Sequence, residues 1–328
     1  MSECVGTLKF KTLIGLVLYF RRLLKLNALK RFILFTLMIL PLGLWAQQNR
    51  SYKDNHHEVG LKFGAANYYG DLQTEVIPWG RESSKTYRPS VGIIYKHFFN
   101  PHVGVRFEAN YMRITAADSL SNNRANQLRN LNFTNDMVDL SGALELNFLP
   151  VDVHKFKVSP YVFVGVGAVY SNPYTLDINS DKTHLRTLGT EGQGLSNYPD
   201  RQIYSTIHPM IPLGGGVKFF IGETFVLSAE VAIRYAGTDY LDDVSRSYVN
   251  MDTLLAYRGA KSVELSYRGN QLNEWDGNYP NYEFQRGDHK MNDWYWTAGI
   301  TATIYFDAFS NFGNYIQTNC PRIFGRRR

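Results

Sequence analysis

Apolar and polar residues alternate along the chain from residue 57 onward, in segment after segment, as strands with a single apolar face require. Eight such segments are read. In Glu58–Tyr69, Val59, Leu61, Phe63 and Ala65 oppose Gly60, Lys62, Gly64 and Ala66. Pro89–Phe98 sets Val91, Ile93 and Tyr95 against Gly92, Ile94 and Lys96, and His102–Ile114 sets Val105, Phe107 and Tyr111 against Arg106, Glu108 and Asn110. Asp136–Phe148 and Ser159–Tyr170 follow, with Leu140, Leu144 and Leu146 on one apolar face and Val162, Val164 and Val166 on the other. The last three are Met210–Phe220, Thr224–Tyr235 and Asp293–Phe306. Most have the length that a tilted strand needs to cross a membrane, about 9–11 residues or a little more.

The connections sharpen this reading. Gly70–Arg88, Thr115–Asn135, Ser171–Pro209 and Ala236–Asn292 are long, whereas Phe99–Pro101, Leu149–Val158 and Ile221–Glu223 are short, in strict alternation. Antiparallel strands of an outer-membrane barrel produce that rhythm, with short periplasmic turns and long external loops. The expected fold is therefore all-β, an eight-stranded antiparallel transmembrane outer-membrane barrel over residues 58–306. A soluble sandwich or lipocalin-like barrel would need the same apolar faces turned inward. Strand length, a targeting segment and aromatic strand ends decide against it. Those ends include Tyr68, Tyr95, Phe98, Tyr111, Tyr161, Tyr170, Phe220 and Trp294, read as two interfacial girdles.

With the apolar faces toward lipid, the opposite faces place Lys62, Lys96, Arg106, Lys218 and Arg234 in the lumen with Glu108, Asp139, Glu145 and Glu230. Eight strands enclose a space that side chains can fill, and charges left unpaired there are costly. A salt-bridged plug is expected in place of a solute channel.

Composition then fixes what surrounds the barrel. The chain has 22 Tyr, 20 Phe and 5 Trp among 328 residues, and a formal charge of +6. Residues 1–46 contain seven Lys/Arg and one Glu, so the remaining residues carry 28 of each sign and are neutral. No basic field remains to gather phosphates, and nucleic acid drops out. Lys30-Arg31, the apolar run Phe32–Trp45 and Ala46 form a signal peptide with cleavage near Ala46, too short to span a bilayer comfortably as a helix. Translation is expected to begin at Leu29 from an alternative codon, which would make residues 1–28 a mis-assigned upstream extension. Residues 47–57 are read as a periplasmic lead-in and 307–328 as a periplasmic tail. Cys320 is then alone in the mature chain, and no disulfide or Cys-based zinc site can form.

Chemistry is sparse. His56-His57-Glu58 reads as an exposed lead-in to the first strand, with a metal site the lesser alternative. His97 and His102 flank a short turn without a Ser or Asp partner at suggestive spacing. Asp239, Asp242 and Asp243 read as a solvated acidic loop, since the ligand spacing of a calcium loop is missing. No catalytic residue, cofactor, metal or small-molecule substrate is expected. The loop Ala236–Asn292, rich in Tyr and Trp, suits contact with a partner or glycan.

The first strand exits through Asn67-Tyr68-Tyr69-Gly70-Asp71-Leu72. This stretch, with Arg88–Gly92 and Arg106-Phe107-Glu108, resembles the PorG-like outer-membrane proteins of Bacteroidetes over about residues 58–306. The resemblance implies an anchoring component of type IX protein secretion, linked to gliding motility, that sits in the outer membrane of a Gram-negative cell. Its implied partners are outer-membrane lipid, a periplasmic ring lipoprotein and that lipoprotein's partner protein. Within the motif, Gly70 is expected to permit a tight strand exit and Asp71 to cap local backbone amides. A general small barrel for adhesion or envelope integrity is the alternative, and a lipid-modifying enzyme a distant third.

Overall fold

The computed structural model describes residues 56–73, 83–149, 158–221 and 225–306. The expected signal peptide, the upstream extension, most of the lead-in and the C-terminal tail lie outside the described residues.

Eight long antiparallel strands close on themselves. They are β1 (His56–Tyr69), β2 (Arg88–Phe98), β3 (Val103–Ala117), β4 (Asn132–Asn147), β5 (Val158–Tyr170), β8 (Ile207–Ile221), β9 (Phe225–Ala236) and β10 (Trp294–Phe306). The order runs β3-β2-β1-β10-β9-β8-β5-β4, and β3 also pairs with β4, which completes the ring. Two shorter strands, β6 (Tyr174–Leu176) and β7 (Lys182–His184), extend β4 as a hairpin beyond the barrel. Among the described residues no helix is long and apolar enough to cross a membrane.

Period-2 alternation decides the faces. Phe63, Leu140, Leu144, Val166 and Ile300 point outward and are exposed, Val166 by 71%. Lys62, Arg106, Glu145 and Glu230 point inward and are buried. An apolar outer belt around a charged interior inverts a soluble protein. It is the arrangement of an outer-membrane barrel, in which lipid covers the belt. Closure is tight at the β1–β10 seam, where Gly64 pairs with Gly299. A Cβ on Gly64 would lie 2.3 Å from the Ala298 carbonyl oxygen, so the two backbones approach too closely for any larger residue.

Parity corrects the aromatic girdles. Tyr95, Tyr111, Tyr170 and Trp294 do face outward, but Tyr68, Phe98, Tyr161 and Phe220 are buried inside. Each of these four sits an even number of residues from an inward neighbour such as Lys62, Lys96, Ser159 or Lys218, and the pleat therefore turns it inward.

The long connections all leave the end opposite the short turns. Their described residues hold α1 (Arg124–Arg129), α2 (Met251–Arg258) and α3 (Ala260–Ser266). Asn123 and Asn250 cap α1 and α2 by accepting the N–H groups of Ala125 and Thr253, supplying partners for otherwise orphaned amides. Loop residues Leu72, Leu131, Leu185, Leu241, Val244 and Leu265 pack in one apolar cluster with Ala66, Met112, Ile114, Met137, Met210 and Tyr295 of the strand ends. The external loops and the barrel mouth therefore share a hydrophobic core, and the loops form a cap.

Candidate functional site

The lumen below this cap is a net of ion pairs. Register places Glu58 opposite Lys96 and Lys96 opposite Arg106 across β1, β2 and β3. Near the short-turn end Glu145 takes Lys218 at 2.5 Å and Lys96 at 3.2 Å, and Glu58 lies 3.5 Å and 3.7 Å from the same two ammonium groups. One layer further, Arg106 reaches Glu230 at 2.7 Å and Glu145 at 3.2 Å and also pairs with Glu108. Lys62 bridges Glu230 at 2.6 Å and Glu108 at 3.1 Å. Arg234 closes the net toward the mouth, its Nε 3.0 Å from Asp139 and its Nη2 3.5 Å from Glu108.

Neutral groups add further bonds. Tyr161 donates to Glu230 at 2.8 Å, Asn110 to Asp139 at 2.7 Å and Thr303 to Glu58 at 3.1 Å. Phe163 lies under the Arg106 guanidinium at 3.8 Å and Phe98 under the Lys218 ammonium at 4.2 Å. All nine lumen charges read from the sequence thus meet in one network.

Glu58 is the tenth member and was missed by sequence reasoning. His56-His57-Glu58 does not form an exposed lead-in: β1 already starts at His56, and both His56 and Glu58 are fully buried. The signal was available, because Glu58 is four residues before Lys62 and shares its face. With Glu58 included, the net holds five cations and five anions. His56 stacks on Phe98 with ring centroids 4.5 Å apart. His97 lies 4.6 Å from His57, and His102 bonds the Asn147 carbonyl at 2.9 Å, both as turn-end contacts.

The residues of the exit motif sit at the mouth, where barrel and cap join. Asn67 Oδ1 accepts from Thr86 Oγ1 and from the Tyr68 amide, 2.9 and 2.8 Å away. The Tyr68 hydroxyl lies 2.7 Å from Asp242 Oδ2 and 2.8 Å from Asp293 Oδ1. A hydroxyl has one proton to donate, so the second carboxyl must bring its own. Burial and mutual repulsion agree, holding Asp242 and Asp293 well above the usual carboxylate range. Tyr69 pairs with Trp294 in the register of β1 and β10, and Leu72 enters the apolar mouth cluster.

Gly70 is required for a steric reason. A Cβ there would lie 1.9 Å from Tyr68 Oη and 2.1 Å from Asp293 Oδ1. Among the described residues Asp71 caps no local amide. Its carboxylate accepts the backbone N–H of Asp288, far along the chain in the last long loop.

Nor do Asp239, Asp242 and Asp243 form a solvated loop, since all three are buried. Asp243 accepts from Tyr204 at 2.7 Å and Thr190 at 2.5 Å. Beside it, Arg286 bonds Glu191 at 2.8 Å and the Asp243 carbonyl at 2.6 Å. Arg129 holds Asp118 through two 2.7 Å bonds and also donates to the Arg286 carbonyl. Burial pushes Asp239 up to about 9, and Asp71 and Asp243 up to about 6. Among the described residues no group of three or more His, Cys, Asp or Glu is arranged to hold a metal ion. The lumen charges are thus paired with one another, and the buried carboxyls of the cap are held above their usual range.

The sequence matches no curated protein. Several solved structures are similar in outline. The attachment invasion locus protein Ail of Yersinia pestis is 9% identical at a TM-score of 0.36, with 77% of this chain and 99% of that chain covered. Neisserial surface protein A is 10% identical at 0.37, covering 77% and 97%. The outer membrane protein OprG of Pseudomonas aeruginosa is 10% identical at 0.38, covering 79% and 99%. The model of one family, described as Domain of unknown function (DUF6089), matches residues 33–259, from before the barrel into its last long loop, and the chain belongs to that family.

Proposed function

We propose that this protein is a non-enzymatic outer-membrane barrel that displays its folded cap at the cell surface, for adhesion or envelope integrity, and passes no solute. One observation carries the reading: five buried cations neutralise five buried anions across the whole lumen, beneath an apolar core that seals the mouth. A hydrated pore would need open polar surface along its axis, and here the charged groups are paired with one another. The test has two arms. Reconstituted in planar bilayers, the protein should show no steady conductance, and an epitope inserted at the exposed turn around Gly277 should be labelled on intact cells. Stable channel openings or an unlabelled epitope on correctly folded protein would overturn it.

A second reading rests on the exit motif Asn67–Leu72 and its resemblance to PorG-like proteins. In that reading the barrel anchors the type IX secretion machinery of a Bacteroidetes cell through a periplasmic ring lipoprotein and its partner. Deleting the gene discriminates. Export of cargo with type IX sorting domains would fail under the secretion reading and continue under the display reading.

A further inference from the structure

The cap carries a polar cleft of about 380 Å³, apart from the lumen net. It lies within the range of small-molecule sites, about 300–1,000 Å³, but differs from most of them in that charged side chains make up much of its lining. Three segments distant in sequence build it. Arg201, Arg246 and Lys290 bring donors, and Asp200, Glu283 and Asp288 bring acceptors.

The walls are held in place. Arg201 donates to the carbonyls of Glu191 and Ser247, at 2.9 and 2.7 Å, and to Ser247 Oγ at 2.8 Å. Arg246 is fixed to Asp200 at 2.6 Å. The Tyr248 N–H donates to the Phe284 carbonyl and the Glu283 N–H to the Tyr248 carbonyl, a bridge that continues at Ser247 and Gln285. Between these bonds Glu283 is held at φ 66°, a left-handed conformation unfavourable for a side chain of its size. At the rim, Tyr282 is 54% exposed and its ring lies 6.3 Å from Tyr198, whose face carries the Arg201 guanidinium at 5.2 Å.

Charge decides the ligand class. Three cations and three anions cancel, so a sulfated or phosphorylated polyanion would meet as much repulsion as attraction. An apolar ligand would strip water from six charged groups and return nothing. Neutral polyols are different, because every hydroxyl both donates and accepts and can use both kinds of wall group. An exposed aromatic ring at the rim also offers a flat apolar face to the C–H side of a sugar ring. We infer that this cleft is a binding site for a neutral oligosaccharide. The inference deepens the display reading, since it supplies what the cap would hold.

Purified full-length barrel in detergent micelles is titrated with neutral gluco-, manno- and galacto-oligosaccharides, with a heparin oligosaccharide as the anionic comparison. Saturable binding of a neutral member is expected, weakened at least tenfold by Glu283→Gln and by Tyr282→Ala, and unchanged by Arg124→Ala elsewhere on the cap. Each variant is first shown to keep heat-modifiable gel migration and the wild-type resistance of its cap to limited proteolysis, so loss of binding is not loss of fold. No binding by any neutral member, binding by heparin alone, or wild-type binding by both cleft variants overturns the inference. Cap exposure is read separately by epitope labelling of cells, so a displayed cap that binds no sugar sinks this inference and leaves the display reading intact.

Discussion

Asp71 accepts the backbone N–H of Asp288 with both carboxylate oxygens, at 3.1 and 3.0 Å, across 217 residues of sequence. The contact ties the exit of the first strand to the end of the last long loop, beside Arg129, whose guanidinium bonds the Asp71 carbonyl at 3.2 Å. Replacing Asp71 by Ala removes the acceptor and leaves a part-buried amide unpaired, a cost of about 1–3 kcal/mol. The expected result is a cap that opens while the barrel stays folded. Limited proteolysis should cut D71A within residues 273–292 well before the wild type, with heat-modifiable migration unchanged. Equal cleavage of the two proteins would show that the tether is dispensable.

The cap should loosen as pH rises. A carboxyl with a raised pKa binds its proton more tightly in the folded cap than in the unfolded chain, where an Asp titrates near about 4. Its stabilising effect is complete below that value and is lost as pH climbs through the folded pKa. For Asp71 and Asp243 the loss runs from about 4 to about 6, and for Asp239 it continues to about 9. Hydrogen exchange across residues 237–293, corrected for intrinsic rates, should show more opening at pH 9 than at pH 5. Asp239→Asn should flatten the upper part of that profile. A cap better protected at pH 9 would contradict the assignment.

Arg106 is the member of the lumen net with most carboxylate partners. Changing it to Met leaves Glu108, Glu145 and Glu230 short of a cation in a dry interior, which costs about 3–5 kcal/mol. Arg106→Lys should recover only part, because one ammonium cannot reproduce the fork that reaches three acids. Urea unfolding in lipid vesicles measures both. A loss under about 1 kcal/mol for R106M, the scale of an exposed pair, would mean that the net contributes little to stability.

The outer belt makes an equally direct prediction. Leu140 is 59% exposed on β4 and Ile178 is 70% exposed in the cap. Leu140→Arg should destabilise the barrel by about 2–4 kcal/mol in lipid, the range for a cation near the midplane. Ile178→Arg should change it by less than about 0.5 kcal/mol. If the two cost the same, the apolar belt does not lie in the bilayer.

Legibility in the sequence followed periodicity. All eight barrel strands announce themselves because each has one face in lipid, and the lumen charges follow from the opposite parity. Glu58 escaped because two histidines before it look like a solvated lead-in, although its spacing to Lys62 gave its face. Tyr68, Phe98, Tyr161 and Phe220 escaped because residue type was weighed above parity. The cap escaped for a different reason. Asp239, Asp242 and Asp243 have no period, and their burial depends on Tyr68, Thr190, Tyr204 and Arg286, which come from three other parts of the chain. Helices α2 and α3 are short and lack a clean apolar stripe, so nothing local marks them.

Closure of the ring between β1 and β10 sets an order of assembly. Lys62 on β1 finds Glu230 on β9 across 168 residues, and Glu58 finds Thr303 on β10 across 245. Until the last strand docks on the first, these inward charges face an open sheet edge and lack part of their neutralisation. An unclosed sheet would carry bare cations and anions into hydrocarbon, at a cost that closure removes. Insertion into the bilayer is thereby coupled to completion of the C-terminal strand, and a chain truncated before Trp294 should stall on the membrane surface.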